Sequence, residues 1–312
     1  MTRDFNRTTF FALLRRRRWS VLFGSLSLAV LIVLAVLMPP VWELKDGPID
    51  VVRWPKSGAQ HFLIGPNEKG WTQATAVSKH VVNAIVVAED ARFYEHFGLD
   101  IREIRSSIAF NMEKKRYARG ASTITQQVVK MAYLDNDKNI LRKFREALGA
   151  LLLECLLDKD EILSWYINLV EFGDGIFGIN AASHHFFQTS PELLTIQNGT
   201  HLAMILPSPN RWGKALKQQE LTEYGQRRYA TIIDQMQRQG FITQALRDAA
   251  LATGNFGKPI QGYVPPVSNE EPDDAPYFAI PGQEPPPFGI ESKDRKTKAS
   301  QVRAEQRKSK KL

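Results

Sequence analysis

Cysteine is almost missing from this chain of 312 residues. Its one thiol, Cys155, rules out an internal disulfide and the multi-cysteine metal sites. Cys155 lies in the apolar run Leu151-Leu152-Leu153-Glu154-Cys155-Leu156-Leu157, where a buried structural thiol is expected. Histidine offers no metal grip either. His184 and His185 are adjacent, so on a helix they point about 100° apart and cannot hold one ion as an i, i+4 pair would. The central body also lacks basic charge. The formal charge of +8 comes from the ends, with +5 in residues 1–18 and +7 in residues 293–312, leaving −4 for residues 19–292. Without cations clustered on the folded body, a nucleic-acid-binding fold is excluded. There is no internal repeat.

Charge is wholly absent from Trp19 to Met38, twenty residues that as a helix would reach about 30 Å, the thickness of a bilayer's hydrocarbon core. Arg15-Arg16-Arg17-Arg18 stands directly before this run. Such cations stay cytoplasmic, which predicts a single transmembrane helix with everything after Pro39 on the far side. A cleaved signal peptide would show the same charge order, but the run is long for one and no small-residue cleavage site precedes Pro39-Pro40.

The pattern divides the chain into a basic cytoplasmic tail (1–18), a transmembrane helix (19–38), a strand-like or irregular juxtamembrane segment (39–73) and a helical domain (74–252). A Pro-rich linker follows (253–292), with nine prolines between Pro259 and Pro287, and then a basic tail (293–312) too poor in apolar side chains to order itself. That tail could touch anionic lipid or polymer, or simply be a solubilising end. The expected fold is mainly α, with a domain long enough for one compact, two-lobed body.

Within it, Val77, Val81, Ala84, Ile85 and Ala88 form one apolar stripe that delivers Glu89 to a helix end. The segment Glu89 to Asp100 then packs carboxylates, aromatics and His96 into twelve residues, either an active-site lip or a solvated helix end. The segment Arg119 to Lys130 offers hydroxyls and paired amides beside Gly120, suited to a polar ligand or to an ordinary capped helix start. Arg142 and Glu146 are i, i+4 and share a helix face, where the plain alternative is a surface ion pair. The next helix is expected to place Phe144, Leu148, Leu151, Leu152 and Cys155 along its buried stripe. Asp158-Lys159-Asp160-Glu161 then reads as a capped helix start. Ile101 to Tyr117 mixes apolar and basic residues, as an interfacial element or an amphipathic core helix would.

Taken in order, these segments resemble the peptidoglycan glycosyltransferase family, glycosyltransferase family 51, found in monofunctional transglycosylases and in the first domain of bifunctional penicillin-binding proteins. The matching blocks are Glu89-Asp90 through Phe93, His96, Gly98 and Asp100; Gly120 through Lys130; Arg142-Lys143 with Glu146 and Glu154; Glu161 through Tyr166, Asn168, Phe172-Gly173 and Gly178-Ile179 to Phe187; and Leu202-Ala203 with Pro207 and Pro209. Weaker agreement continues through Arg227-Arg228 to Thr243. Ser-x-x-Lys and Lys-Thr-Gly signatures are missing, so crosslinking activity is not expected. Two positions depart from the family: Met131 where asparagine is usual, and Asn198 where a glutamate near the cleft is usual.

The resemblance implies a lysozyme-like helical glycosyltransferase domain that polymerises lipid II into glycan strands, inverting the anomeric centre and releasing undecaprenyl pyrophosphate. It implies Glu89 as the base, Glu146 as a second functional carboxylate, and Lys130, Arg142 and Lys143 at the pyrophosphate. Ser122, Thr123, Gln126 and Gln127 would orient sugar and phosphate oxygens, while His96 is taken as structural. No cofactor is obligatory; Mg²⁺ or another divalent ion could assist at the pyrophosphate, with no dedicated metal cage. Implied partners are lipid II, the growing strand, the membrane and other cell-wall synthesis proteins, with no nucleic acid. The implied location is the bacterial cytoplasmic membrane, with the domain outside it. A lytic muramidase and a non-catalytic cell-wall scaffold are the rival readings.

Overall fold

The computed structural model describes residues 21, 23–29, 37–53, 55, 58–116, 120–134 and 139–261. Half of the predicted span 19–38 therefore lies outside the described residues, as do the basic tails 1–18 and 293–312 and most of the Pro-rich segment. Among the described residues no helix is long and apolar enough to cross a membrane. Residues 100–122 belong to a second compact unit, separate from the main one.

The main unit is helical, as its periodicity predicts. A hairpin of β1 (Ile49–Arg53) and antiparallel β2 (Gln60–Ile64) pairs Ile49 with Ile64. There follow α1 (Lys79–Glu89), α3 (Ile124–Tyr133), α4 (Ile140–Leu156), α5 (Lys159–Leu169), a short ribbon of β3 (Glu171–Gly173) and β4 (Ile176–Phe177), then α6 (Ile179–Phe187), α7 (Ile196–Ile205), α8 (Pro209–Lys217), α9 (Glu223–Arg238) and α10 (Gln244–Thr253). The second unit contributes α2 (Ile101–Glu113), where Asp100 caps the first turn by accepting from Glu103 N at 2.9 Å. Ser107 on α2 donates to the Gly120 carbonyl at 3.4 Å.

Capping boxes start three of the main helices. Thr123 and Gln126 on α3, Asp158 and Glu161 on α5, and Thr195 and Asn198 on α7 each satisfy backbone donors that the first turn would leave bare. The α1 stripe is buried as predicted: Val81, Ala84, Ile85 and Ala88 are fully enclosed and Glu89 is the last helical residue. Helix α7 packs closely on it at Gly199, where a Cβ would meet Val81 Cα at 2.7 Å. Helix α9 also packs on α1, and α3 packs on both α4 and α5.

Helix α4 departs from the expected stripe. Its buried residues are Glu146, Gly149, Ala150 and Leu153, whereas Phe144, Leu151 and Cys155 are exposed. The small residues explain this face: a Cβ on Gly149 would meet Val129 Cγ1 at 2.7 Å, so the bulkier side could not approach α3 so closely. Cys155 is thus not the buried thiol the apolar run predicts.

The segment 39–73, expected as strand-like or irregular, is bound into the body. Arg53 donates to the carbonyls of Met131 at 2.8 Å and Leu169 at 3.0 Å, and Trp165 donates to the Leu44 carbonyl at 3.0 Å. Burial pulls the Arg53 pKa down to about 10. The body also holds residues beyond the expected end at 252. His201 bonds the Gly254 carbonyl at 2.8 Å and stacks on Phe256 at 4.6 Å between centroids, and burial lowers its pKa to about 4, leaving it neutral.

Candidate active site

Glu89 stands where α1 ends, with Asp90 as its C-cap. Gln127, on the second turn of α3, donates from Nε2 to Glu89 Oε2 at 3.1 Å. The other oxygen, Oε1, is buried and has no hydrogen-bond partner among the described residues. Burial is the main force raising the Glu89 pKa, and Asp90 adds to it; the Arg228 guanidinium and the Gln127 hydrogen bond pull the other way. A carboxyl made a stronger proton acceptor by burial and held by a neighbouring amide is the kind of group that general-base chemistry uses.

The loop after Glu89 is fastened at three places. Asp90 accepts from the Ile124 backbone N–H at 2.9 Å and faces His96 Nε2 at 3.0 Å. Thr123 Oγ1 donates to the Gly98 carbonyl at 2.7 Å. Lys159 donates to the His96 carbonyl and to Glu154 Oε1, both at 2.8 Å, and lies 4.3 Å from the Phe93 ring centroid. Thr125 Oγ1 completes this group by donating to the same Glu154 oxygen at 2.6 Å. Gly98 is required here twice over: its φ is +73°, and a Cβ would meet the Ala150 carbonyl oxygen at 2.9 Å. Loop and α3 therefore hold Glu89 and Gln127 in fixed register.

On α4, Glu146 is buried and its two oxygens accept separately, from Arg142 Nη1 at 2.6 Å and Lys143 Nζ at 2.7 Å. Since the acid is only 3% exposed, the surface-pair alternative does not describe it. Asn139 caps the same helix by accepting from Arg142 N at 2.6 Å, which sets the first turn that carries both cations. Lys130 is exposed on α3, three residues beyond Gln127 and so on an adjoining part of the same helix face.

The structure thus joins Glu89 to Gln127, and Arg142 and Lys143 to Glu146. Thr123 and Gln126 are buried in the α3 capping box, with their side chains turned to the backbone. Ser122 is exposed and belongs to the second unit. Arg228, Tyr166 and the Glu154–Lys159 pair were not among the expected site residues. Glu154 and Tyr166 stand in the matching blocks and Arg228 in the weaker agreement beyond them, while Lys159 stands only in the expected helix start.

Both departures sit in backbone roles. Asn198 Oδ1 accepts from Thr195 N at 3.0 Å and Thr195 Oγ1 at 2.8 Å, doing what a capping-box glutamate does at the same helix position. Met131 offers its carbonyl to Arg53.

Residues 58–237 match the Transglycosylase family. The chain is similar to the biosynthetic peptidoglycan transglycosylase of Cupriavidus metallidurans, at 36% identity over 162 residues covering 52% of this chain and 69% of the relative. It is 34% identical over 217 residues to the enzyme of that name from Shewanella oneidensis, covering 70% of this chain and 88% of the relative. With its namesake from Aeromonas hydrophila it shares 35% identity over 227 residues, 70% of this chain and 91% of the relative.

Proposed function

The chain belongs to the transglycosylase family and is a peptidoglycan glycosyltransferase, and on that premise we propose that it transfers the disaccharide of lipid II between membrane-bound prenyl carriers and growing strands. The 4-hydroxyl of the acceptor sugar attacks C1 of the pyrophosphate-linked sugar. As the new C–O bond forms, the hydroxyl proton passes to Glu89. The C1–O bond to pyrophosphate breaks with inversion, and its electron pair leaves on undecaprenyl pyrophosphate.

The observation that carries this reading is the buried Glu89 carboxyl, raised in pKa and bonded to Gln127 on the helix that also bears Lys130. A positioned base contributes about 10² to 10⁴ in rate. Lys130, Arg142 and Lys143 would receive the charge that grows on the leaving pyrophosphate, which fixed cations stabilise better than mobile water. Glu146 holds two of them, and Gln127 would orient substrate oxygens. Thr123 and Gln126 serve the site by fixing the start of α3. Both Glu146 oxygens already face cations, so these residues make no metal cage, and a divalent ion such as Mg²⁺ would be held by the pyrophosphate itself.

We place the domain at the outer face of the cytoplasmic membrane, anchored by the apolar run Trp19–Met38. Within that run, helical residues 21 and 23–29 leave Val21, Phe23, Leu26 and Leu28 more than half exposed, a surface suited to lipid. Lipid II and the growing strand are its substrates, and other cell-wall synthesis proteins would meet it there.

The test is purified full-length protein with labelled lipid II. Strand growth is expected, and Glu89→Gln should reduce it by about 10² to 10⁴ while leaving the circular dichroism spectrum unchanged. Cleavage of preformed glycan without growth would instead identify a lytic muramidase, and no turnover of either would identify a scaffold.

A further inference from the structure

Tyr166, on α5, is fully enclosed, yet its hydroxyl has no hydrogen-bond partner among the described residues. Leaving such a group bare is costly. Glu89 Oε1 is in the same position: buried and without a partner. One group is a donor in need of an acceptor, the other an acceptor in need of a donor. The elements that carry them converge, because Gln127 of α3 holds Glu89, Asp90 holds the α3 start at Ile124, and α3 packs on α5. Charge reports the same closeness: beyond the effect of burial, Glu89 and Asp90 both push the Tyr166 hydroxyl further above its ordinary pKa.

We propose that Tyr166 is a positioning residue for Glu89, its hydroxyl serving Glu89 Oε1 across one water. Gln127 then fixes one oxygen of the base and Tyr166 the other. A carboxylate oxygen accepts more than one hydrogen bond, so this arrangement leaves a lone pair for the acceptor's proton. The remaining groups around Glu89 are accounted for. Arg228 of α9 faces it, and Asp90 is paired with His96 and Ile124. His201 of α7 is turned to the Gly254 carbonyl, Asp234 of α9 is bonded to Arg247, and His80 lies at the opposite end of α1.

The inference rests on Glu89 being the base. A hydroxyl that donates to a carboxylate favours its charged form, so losing that donor raises the carboxyl pKa. In full-length enzyme turning over lipid II, Tyr166→Phe should move the acidic limb of the pH–rate profile up by about one unit and lower kcat more than it raises KM. Its circular dichroism spectrum should be unchanged, which separates the effect on the base from a loss of fold. Incorporating 3-fluorotyrosine at position 166, which strengthens the donor, should move the same limb down. An acidic limb unmoved in both variants overturns the role of Tyr166 while leaving Glu89 intact as base. If Glu89→Gln keeps the wild-type rate, the base assignment falls with it, so the two failures are told apart.

Discussion

Helix α1 encloses an apolar face, Val81, Ala84, Ile85 and Ala88, and carries its acid at the very end. Helix α4 does the reverse: it encloses Glu146 with Gly149, Ala150 and Leu153, and turns Ile140, Leu141, Phe144 and Leu151 outward. The first helix is held by hydrophobic burial and uses it to push one carboxylate out of water. The second is held by close backbone approach and by an acid that two cations neutralise. Each gives a candidate carboxylate low exposure, but Glu89 Oε1 is left without a partner among the described residues and burial raises the Glu89 pKa, whereas each Glu146 oxygen faces a cation. The roles proposed for them differ in the same way, one acid taking a proton from substrate and the other holding cations in place.

Three substitutions would sharpen or break this contrast. Ile85→Ala on α1 should cost about 2–5 kcal/mol, read by denaturant unfolding, because a fully enclosed branched chain leaves a cavity. Glu146→Gln on α4 should cost about 1–3 kcal/mol, since its amide cannot serve both Arg142 and Lys143 as acceptor, and should slow lipid II turnover at least about tenfold. A Glu146→Gln protein with wild-type stability and rate would show that the α4 face needs no charge. The double change Leu151→Ser with Cys155→Ser on the outer side of α4 should shift stability by no more than about 0.5 kcal/mol each. A large loss there would mean that the apolar face is covered after all.

The same two helices show what could be read in advance. The α1 stripe was legible because hydrophobic spacing and burial coincide when the partner helix supplies an ordinary apolar surface. On α4 they part company. Leucines are abundant on both sides of the helix, and what decides the inner face is the small size of Gly149 and Ala150 against Val129 and the Ala150–Gly98 contact. Helix starts were legible for a local reason, as at Asp158 and Thr123, whose partners lie three residues away. Thr123 and Gln126 show the opposite limit. Polar side chains in a matching block can serve backbone as well as ligand, and only their burial tells which atoms they reach.

The sequence alone determined the helical body, the order of its blocks and the family, and it nominated Glu89 as the base, because periodicity, caps and residue chemistry are local properties written along the chain. Tertiary structure decided which face of α4 turns inward, that Asn198 works as a cap, and that Gln127 meets Glu89 across a long stretch of sequence. Those outcomes depend on shape complementarity and on electric fields between segments, which arise only when distant residues are packed within a few ångströms of each other.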